Sequence, residues 1–275
     1  MRHFTWRRTA LRWVKILALL YLVPLILVFL AQRRLLYHPD KAPAEILAKA
    51  AADHGFQPWQ NSSGQVIGWK QPARTSLAHD RILIAHGNAG SAVDRMDFAD
   101  ALRNAGTFDV YILEYPGYGA RPGTPNQETL FHAATEAFGL LKKEGRIYLI
   151  GESLGTGVAA YLAGMHPEAV SGVLLIAPYD NMVGVAQFHM PIFPVRFLLR
   201  DRFPSSAYLK NYNGPIGVLL AGQDTVVPSR FGRKLYDAYA GPKMLWEMPQ
   251  ADHNDLRIQT AAWWKELAAF WMLQP

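Results

Sequence analysis

Arg146-Ile147-Tyr148-Leu149-Ile150-Gly151-Glu152-Ser153-Leu154-Gly155 is the stretch that decides the fold. Its first half is a short apolar run rich in branched residues, which predicts a buried strand. Thr156 to His166 follows, rich in Ala and Leu, and predicts a helix. Between them a serine sits on a sharp turn flanked by glycines, the geometry of a nucleophile elbow. Such a turn forces the serine backbone into a strained conformation, and the outer positions admit no bulk against the neighbouring strand and helix. The five-residue pattern alone is weak, so its surroundings carry the argument.

Those surroundings are regular. Ile82–Ala85, Val110–Leu113, Ile147–Ile150, Gly172–Ala177, Ile216–Ala221 and Met244–Met248 each read as buried strands. Helical segments lie between most of them, at Ala92–Asn104, Gln127–Lys143, Thr156–His166 and Arg230–Tyr239, with a last amphipathic helix over Leu256–Trp271. Upstream, Pro43–Ala52 predicts a short helix and Gln65–Lys70 an edge strand. Alternating strands and helices predict an α/β fold with a mostly parallel sheet covered on both faces. In such sheets, sites gather at the carboxyl ends of the strands. Residues 181–212 break the alternation with Pro191, Pro194 and Pro204 among Phe188, Met190, Ile192, Phe193, Phe197 and Leu198. This excursion reads as an inserted lid with an apolar inner face; helices merely packed on the scaffold are the alternative.

A serine hydroxyl needs a base, and the base needs an orienting group. Of nine histidines, His253 alone follows the last expected strand, in a loop at the sheet's carboxyl edge. The acid is expected between Ser153 and His253, after a strand. Asp224 follows Val218-Leu-Leu-Ala-Gly-Gln directly and is the first choice; Asp180 competes, and a helix-capping role is the bland reading of Asp224. Asp252 and Asp255 flank His253 too closely to reach back to its ring. His86-Gly87-Asn88-Ala89-Gly90 follows the first central strand, so the backbone N–H groups of Asn88 and Leu154 are the candidate oxyanion donors. His86 reads as a structural residue beneath that loop. No histidine pair stands at ligand spacing, so no metal site is indicated; the chemistry requires no cofactor.

The N-terminus adds a location. Residues 1–34 carry seven basic residues and no acid, leaving 21 basic against 22 acidic residues in the remainder of a chain whose total charge is +6. The basicity therefore gives no support for nucleic-acid binding by the main domain. Residues 13–31 contain one charge, Lys15, placed near an end where it can snorkel. Their length suits a transmembrane anchor, in which Pro24 is tolerated. Phe29 departs from a signal-peptidase site ending at Ala31, which disfavours cleavage. Five basic residues up to and including Lys15, and two after the span, predict a cytoplasmic N-terminus and an extracytoplasmic domain. The expected organisation is a basic tail over 1–12, an anchor over 13–31 and a catalytic domain over 35–275. The absence of cysteine excludes disulfides, thiolate metal sites and a cysteine nucleophile.

Taken in order, the HGNAG loop, Glu114-Tyr-Pro-Gly-Tyr-Gly119, GESLG, Leu199-Arg-Asp-Arg-Phe203, Gly222-Gln-Asp-Thr-Val-Val-Pro228 and Asp252-His-Asn-Asp255 resemble the α/β-hydrolase superfamily, and within it the membrane-anchored Bem46-like branch. The resemblance covers roughly residues 35–272. It implies Ser153, Asp224 and His253 as a catalytic triad acting on an acyl ester or thioester, in a group whose members are variously called esterases, depalmitoylases or peptidases. Arg121-Pro122 departs from the pattern and places a different loop at the expected mouth of the site. A peptidase or amidase on the same fold, and an anchored binding protein without catalysis, are the alternative readings. The expected partners are a lipid-like or acyl-ester small molecule and the membrane.

Overall fold

The structure, a computed structural model, describes residues 3–73, 80–98, 102, 108–142, 145–257 and 259–272. A 34-residue helix, α1 (His3–Leu36), opens the chain and continues through Pro24. It contains the one stretch among the described residues long and apolar enough to cross a bilayer, within Trp6–Leu36, with a mean hydropathy of 2.7. The helix ends at Leu36, and β1 (His38–Pro39) follows, then α2 (Ala44–Asp53).

β2 (Gln57–Gln60), β3 (Val66–Gln71), β4 (Asp80–Ala85), β6 (Phe108–Leu113), β7 (Ile147–Glu152), β8 (Val170–Ile176), β9 (Ile216–Ala221) and β10 (Lys243–Met248) form one eight-stranded sheet, in the order β10-β9-β8-β7-β4-β6-β3-β2. The five pairings from β10 to β6 are parallel, whereas β6–β3 and β3–β2 are antiparallel. The two-residue β5 (Ala89–Gly90) lies outside it, paired with β1. The chain leaves β4 for β6 on one side and returns to β7 on the other. That reversal opens a crevice at the carboxyl ends of β4 and β7, where ligands bind in folds of this kind.

α3 (Gln127–Leu141), α4 (Leu154–Met165) and α8 (Ser229–Ala238) contribute to the core on one face of the sheet. α2 and α9 (Ala261–Met272) contribute to the other, where Trp264, Phe270 and Trp271 are buried. The inner strands are buried along their length, as a sheet covered on both sides demands. The stretch over 181–212 holds three short helices, α5 (Met182–His189), α6 (Val195–Leu198) and α7 (Ser205–Leu209).

Three sequence expectations need correction. The strand expected at the edge, Gln65–Lys70, is second from the edge, because β2 pairs outside it despite Pro58. Its position on an edge strand spares Pro58 a second ladder partner. The helix expected over Ala92–Asn104 begins instead as a 3-10 turn, Ala92–Arg95, and part of its remainder lies outside the described residues. The helix expected from Leu256 starts at Ala261, since Thr260 Oγ1 accepts the Trp263 N–H at 3.2 Å and caps it there.

Candidate active site

Ser153 stands between β7 and α4 with φ 50° and ψ −115°. A side-chain-bearing residue rarely occupies this region, and the surroundings must hold it there. They do so from several directions. The Ser153 N–H donates to the Ile176 carbonyl at 2.8 Å, and its own carbonyl accepts the Thr156 N–H at 2.9 Å and hydroxyl at 2.6 Å. Tyr179, fully buried, donates to the Leu154 carbonyl at 3.1 Å. A Cβ on Gly155 would strike the Ala85 carbonyl, and one on Gly151 would lie 2.6 Å from the Gly155 carbonyl oxygen. Gly155 is therefore a steric requirement of the elbow's contact with β4, and Gly151 of the strand's contact with the first turn of α4.

His253 is carried by the loop after β10, and its Nε2 lies 3.1 Å from Ser153 Oγ. On the other side of the ring, Nδ1 lies 2.6 Å from Asp224 Oδ2. Asp224 divides its oxygens. Oδ1 accepts the N–H groups of Val226 and Val227 at 2.8 and 2.7 Å, leaving Oδ2 aimed at the histidine. Asp224 is not a solvated helix cap: Pro228 stands at the helix N-terminus, and the buried carboxylate holds only the preceding turn, with one oxygen. Asp180, the competing acid, is engaged elsewhere: its Oδ2 lies 2.6 Å from Lys234 Nζ and accepts from Asn181. Asp252 and Asp255 shape the loop, as Asp252 accepts the His253 N–H and Asp255 accepts the Asp252 N–H.

The loop after β4 is tied to both the elbow and the exit of α1. The Asn88 carbonyl accepts from His38 N–H at 2.9 Å and from the Tyr118 hydroxyl at 2.7 Å, while its side chain donates to the Leu36 carbonyl. These bonds use its carbonyl and side chain. Leu154 is the first residue of α4, so its N–H has no acceptor within the helix. Beneath, the buried Arg95 bridges Glu152 at 2.5 Å and the Ala89 carbonyl at 3.3 Å, fixing loop against elbow. His86 is fully buried between Tyr115 and Tyr118, with Nδ1 2.8 Å from the Gly87 carbonyl. It supports the loop, as its sequence position suggests.

Ser153, Leu154 and Asn88 open onto a cavity of about 330 Å³ whose surface is mostly apolar. That volume falls in the range of small-molecule sites. Met182, Val185, His189 and Phe193 line it from 181–212. Leu25, Val28, Phe29 and Gln32 of α1 line it too. Sequence reasoning missed these four. Their only signal is the spacing i, i+3, i+4, i+7, which a uniformly apolar span hides. Arg121 and Pro122 line a different cavity, away from Ser153. Arg121 is buried against Glu136 and the Glu114 carbonyl, and burial lowers its pKa. The sequence departure there is therefore not at the mouth of this site. No cluster of three or more metal-ligating side chains occurs among the described residues.

Known proteins give the same picture. Residues 80–204 match the model of the alpha/beta hydrolase fold, a stretch that includes Ser153 and stops before Asp224 and His253. An uncharacterized protein of Mycobacterium tuberculosis is 31% identical over 255 residues, covering 90% of each chain. The lysophosphatidylserine lipase ABHD12 of Macaca fascicularis is 29% identical over 73% of this chain, which spans only 53% of that longer protein. The Pyrococcus furiosus esterase Pf2001 superposes with a TM-score of 0.64 at 14% identity, over 86% of this chain and 99% of the esterase. Sheet order, matched family model and a near full-length relative together establish that the chain belongs to the α/β-hydrolase superfamily.

Proposed function

We propose that the protein is a membrane-anchored serine hydrolase that cleaves an acyl ester or thioester. The observation that carries this reading is the line Ser153 Oγ, His253 Nε2 at 3.1 Å, His253 Nδ1, Asp224 Oδ2 at 2.6 Å, with Ser153 opening onto an apolar cavity. Three side chains from three separate loops meet at hydrogen-bond distance in the order nucleophile, base, orienting acid.

Ser153 Oγ attacks the acyl carbonyl as His253 Nε2 takes its proton. Asp224 Oδ2 accepts from Nδ1–H, which selects the tautomer with a free Nε2 and then stabilises the imidazolium. The N–H groups of Asn88 and Leu154 bind the oxyanion of the tetrahedral intermediate. Its collapse expels the alcohol or thiol, protonated by His253, and leaves an acyl-serine. Water attacks in turn, giving up a proton to His253, and release of the acid restores Ser153. No cofactor enters the cycle.

Residues 181–212 act as a lid over the acyl pocket, and residues 13–31 hold the enzyme in the bilayer. Basic residues concentrated before the span orient the N-terminus to the cytoplasm and the catalytic domain to the opposite side. The apolar lining favours an acyl chain, and the lipase and esterase names of the relatives point the same way. Hydrolysis of p-nitrophenyl acyl esters, compared with aminoacyl anilides, tests the bond cleaved. Ester turnover that disappears in Ser153→Ala is expected; turnover of anilides alone, or of neither, contradicts the reading.

A further inference from the structure

The wall that α1 gives the cavity goes beyond tethering. Leu25, Val28, Phe29, Gln32 and Leu36 fall on one helical face and line the cavity with Ser153. Leu27 and Leu30, on the opposite face, are 60% and 68% exposed. Polar ties hold the lining face in place. Tyr21 donates to the Ile192 carbonyl at 3.0 Å, Gln32 accepts the Arg200 N–H at 2.8 Å, and Arg33 bonds both oxygens of Asp201 at 3.0 and 3.2 Å. The Arg200 guanidinium lies over the Phe29 ring, 4.4 Å from its centroid. Beyond α1, the His38 and Asp40 N–H groups bond Asn88 and Gly90, so the helix is stitched to the same loop as the candidate oxyanion donor.

With residues 13–31 in the hydrocarbon, Leu25, Val28 and Phe29 lie two to six residues inside the exit at Ala31, about 3–9 Å deep at the helical rise. The far end of the cavity then lies within the leaflet. The tip of the 181–212 stretch meets α1 deeper still, at Tyr21, which donates to the Ile192 carbonyl and packs on the Phe193 ring; this stretch carries Ile192 and Phe197, 71% and 74% exposed. Arg196 lies over the Phe197 ring, 5.3 Å from its centroid, and Arg200 over Phe29, so cations stand beside this apolar surface on long stems that can snorkel to the headgroups.

We infer that the anchor is part of the substrate site: Leu25, Val28 and Phe29 receive the acyl chain of a bilayer-resident ester, which enters laterally from the leaflet in which Ile192 and Phe197 are immersed. This rests on the hydrolase reading and names the class and route of its substrate. The determinant of chain length is thereby placed in the anchor.

Two measurements on the full-length protein in phosphatidylcholine vesicles test it. The chain has no cysteine, so Ile192→Cys and Phe197→Cys can each be labelled with an environment-sensitive fluorophore. Acyl-brominated phosphatidylcholine should quench both, and should not quench a label at Glu168→Cys on the opposite edge of the sheet. In parallel, Val28→Trp should lower the ratio of palmitate to butyrate ester turnover about tenfold or more, the scale on which pocket volume discriminates chains. Leu27→Trp, on the exposed face, should leave that ratio unchanged and controls for insertion. Should Val28→Trp fail to accumulate, Leu25→Ala enlarges the same wall and should shift the ratio toward longer chains. Absence of quenching at both lid positions, or a ratio unmoved by the pocket variants, overturns the inference and leaves the hydrolase reading intact. A wild type that cleaves neither ester overturns the hydrolase reading, and with it the acyl-chain assignment, whatever the quenching shows.

Discussion

The cavity has a floor and a roof, built on different principles. The floor is the carboxyl edge of the sheet, where Ser153 is strained to φ 50° and hydrogen bonds hold the elbow, Asp224 and His253. The roof is α1 and the 181–198 stretch, apolar across its breadth, with its polar ties at Tyr21, Gln32 and Arg33. Bond-making chemistry tolerates little error in position, so directional contacts hold the floor. Selecting an acyl chain needs only shape and dryness, which packed hydrocarbon supplies. Changes to the floor should therefore abolish turnover, while changes to the roof should alter what is turned over.

The largest effect expected short of removing the nucleophile is from Asp224→Asn. It preserves size but favours the wrong histidine tautomer, and kcat should fall roughly 10⁴-fold, as in related triads. Because Asp224 Oδ1 also caps Val226 and Val227, a small loss of melting temperature accompanies it. Near-normal kcat in this variant would remove Asp224 from the floor and reopen the choice of acid.

Arg95→Ala leaves the buried Glu152 carboxylate without its guanidinium. Stability should drop by about 3–5 kcal/mol, the usual outcome of breaking a buried pair from one side. Denaturant midpoints measure this, and a change under 1 kcal/mol would mean that loop and elbow are held by other contacts.

Asp201→Asn acts on the roof. Arg33 is partly solvent-exposed, so the lost ion pair is screened, and the stability change should be only about 1 kcal/mol. The palmitate-to-butyrate ratio should move while butyrate turnover holds. Equal loss with both esters would erase the division between floor and roof.

The smallest effect is confined to alkaline pH, where each half contains a buried phenol. Burial raises the pKa of Tyr179, which bonds the Leu154 carbonyl. It also raises that of Tyr37, which donates to Asp201 Oδ2 at 3.1 Å beside its negative charge. Above pH of about 10 the unfolded chain releases protons that the folded chain keeps. The stability from both phenols is therefore complete below that pH and falls as pH rises further. The change of melting temperature between pH 6 and 9 should therefore carry no contribution from either.

The floor was largely legible in the sequence because its chemistry forces particular residues into particular places. Gly155 marks the contact with β4 and Gly151 the contact with the first turn of α4, and the chain order of Ser153, Asp224 and His253 follows the sheet's own topology. What stayed hidden depends on distance along the chain. Arg95 meets Glu152 and Arg33 meets Asp201 across 57 and 168 residues, and no local pattern announces either pair. The Leu199–Phe203 motif was visible without its purpose, which is to present Asp201 to Arg33 and Tyr37. β2 was missed because Pro58 argues against an interior strand and only the edge position accommodates it. The α1 wall was hidden because this helix is apolar all round, so hydropathy cannot mark which face meets protein. Strand and helix ends followed local chemistry, as at Thr260, and moved by a few residues.

Covalent labelling tests the central claim most directly. A fluorophosphonate probe, applied to the folded full-length protein and followed by peptide mass spectrometry, should place a single adduct on Ser153. Labelling should vanish in Ser153→Ala at unchanged melting temperature. An adduct that persists in Ser153→Ala, or no adduct on the folded wild type, would contradict the assignment of Ser153 as the nucleophile.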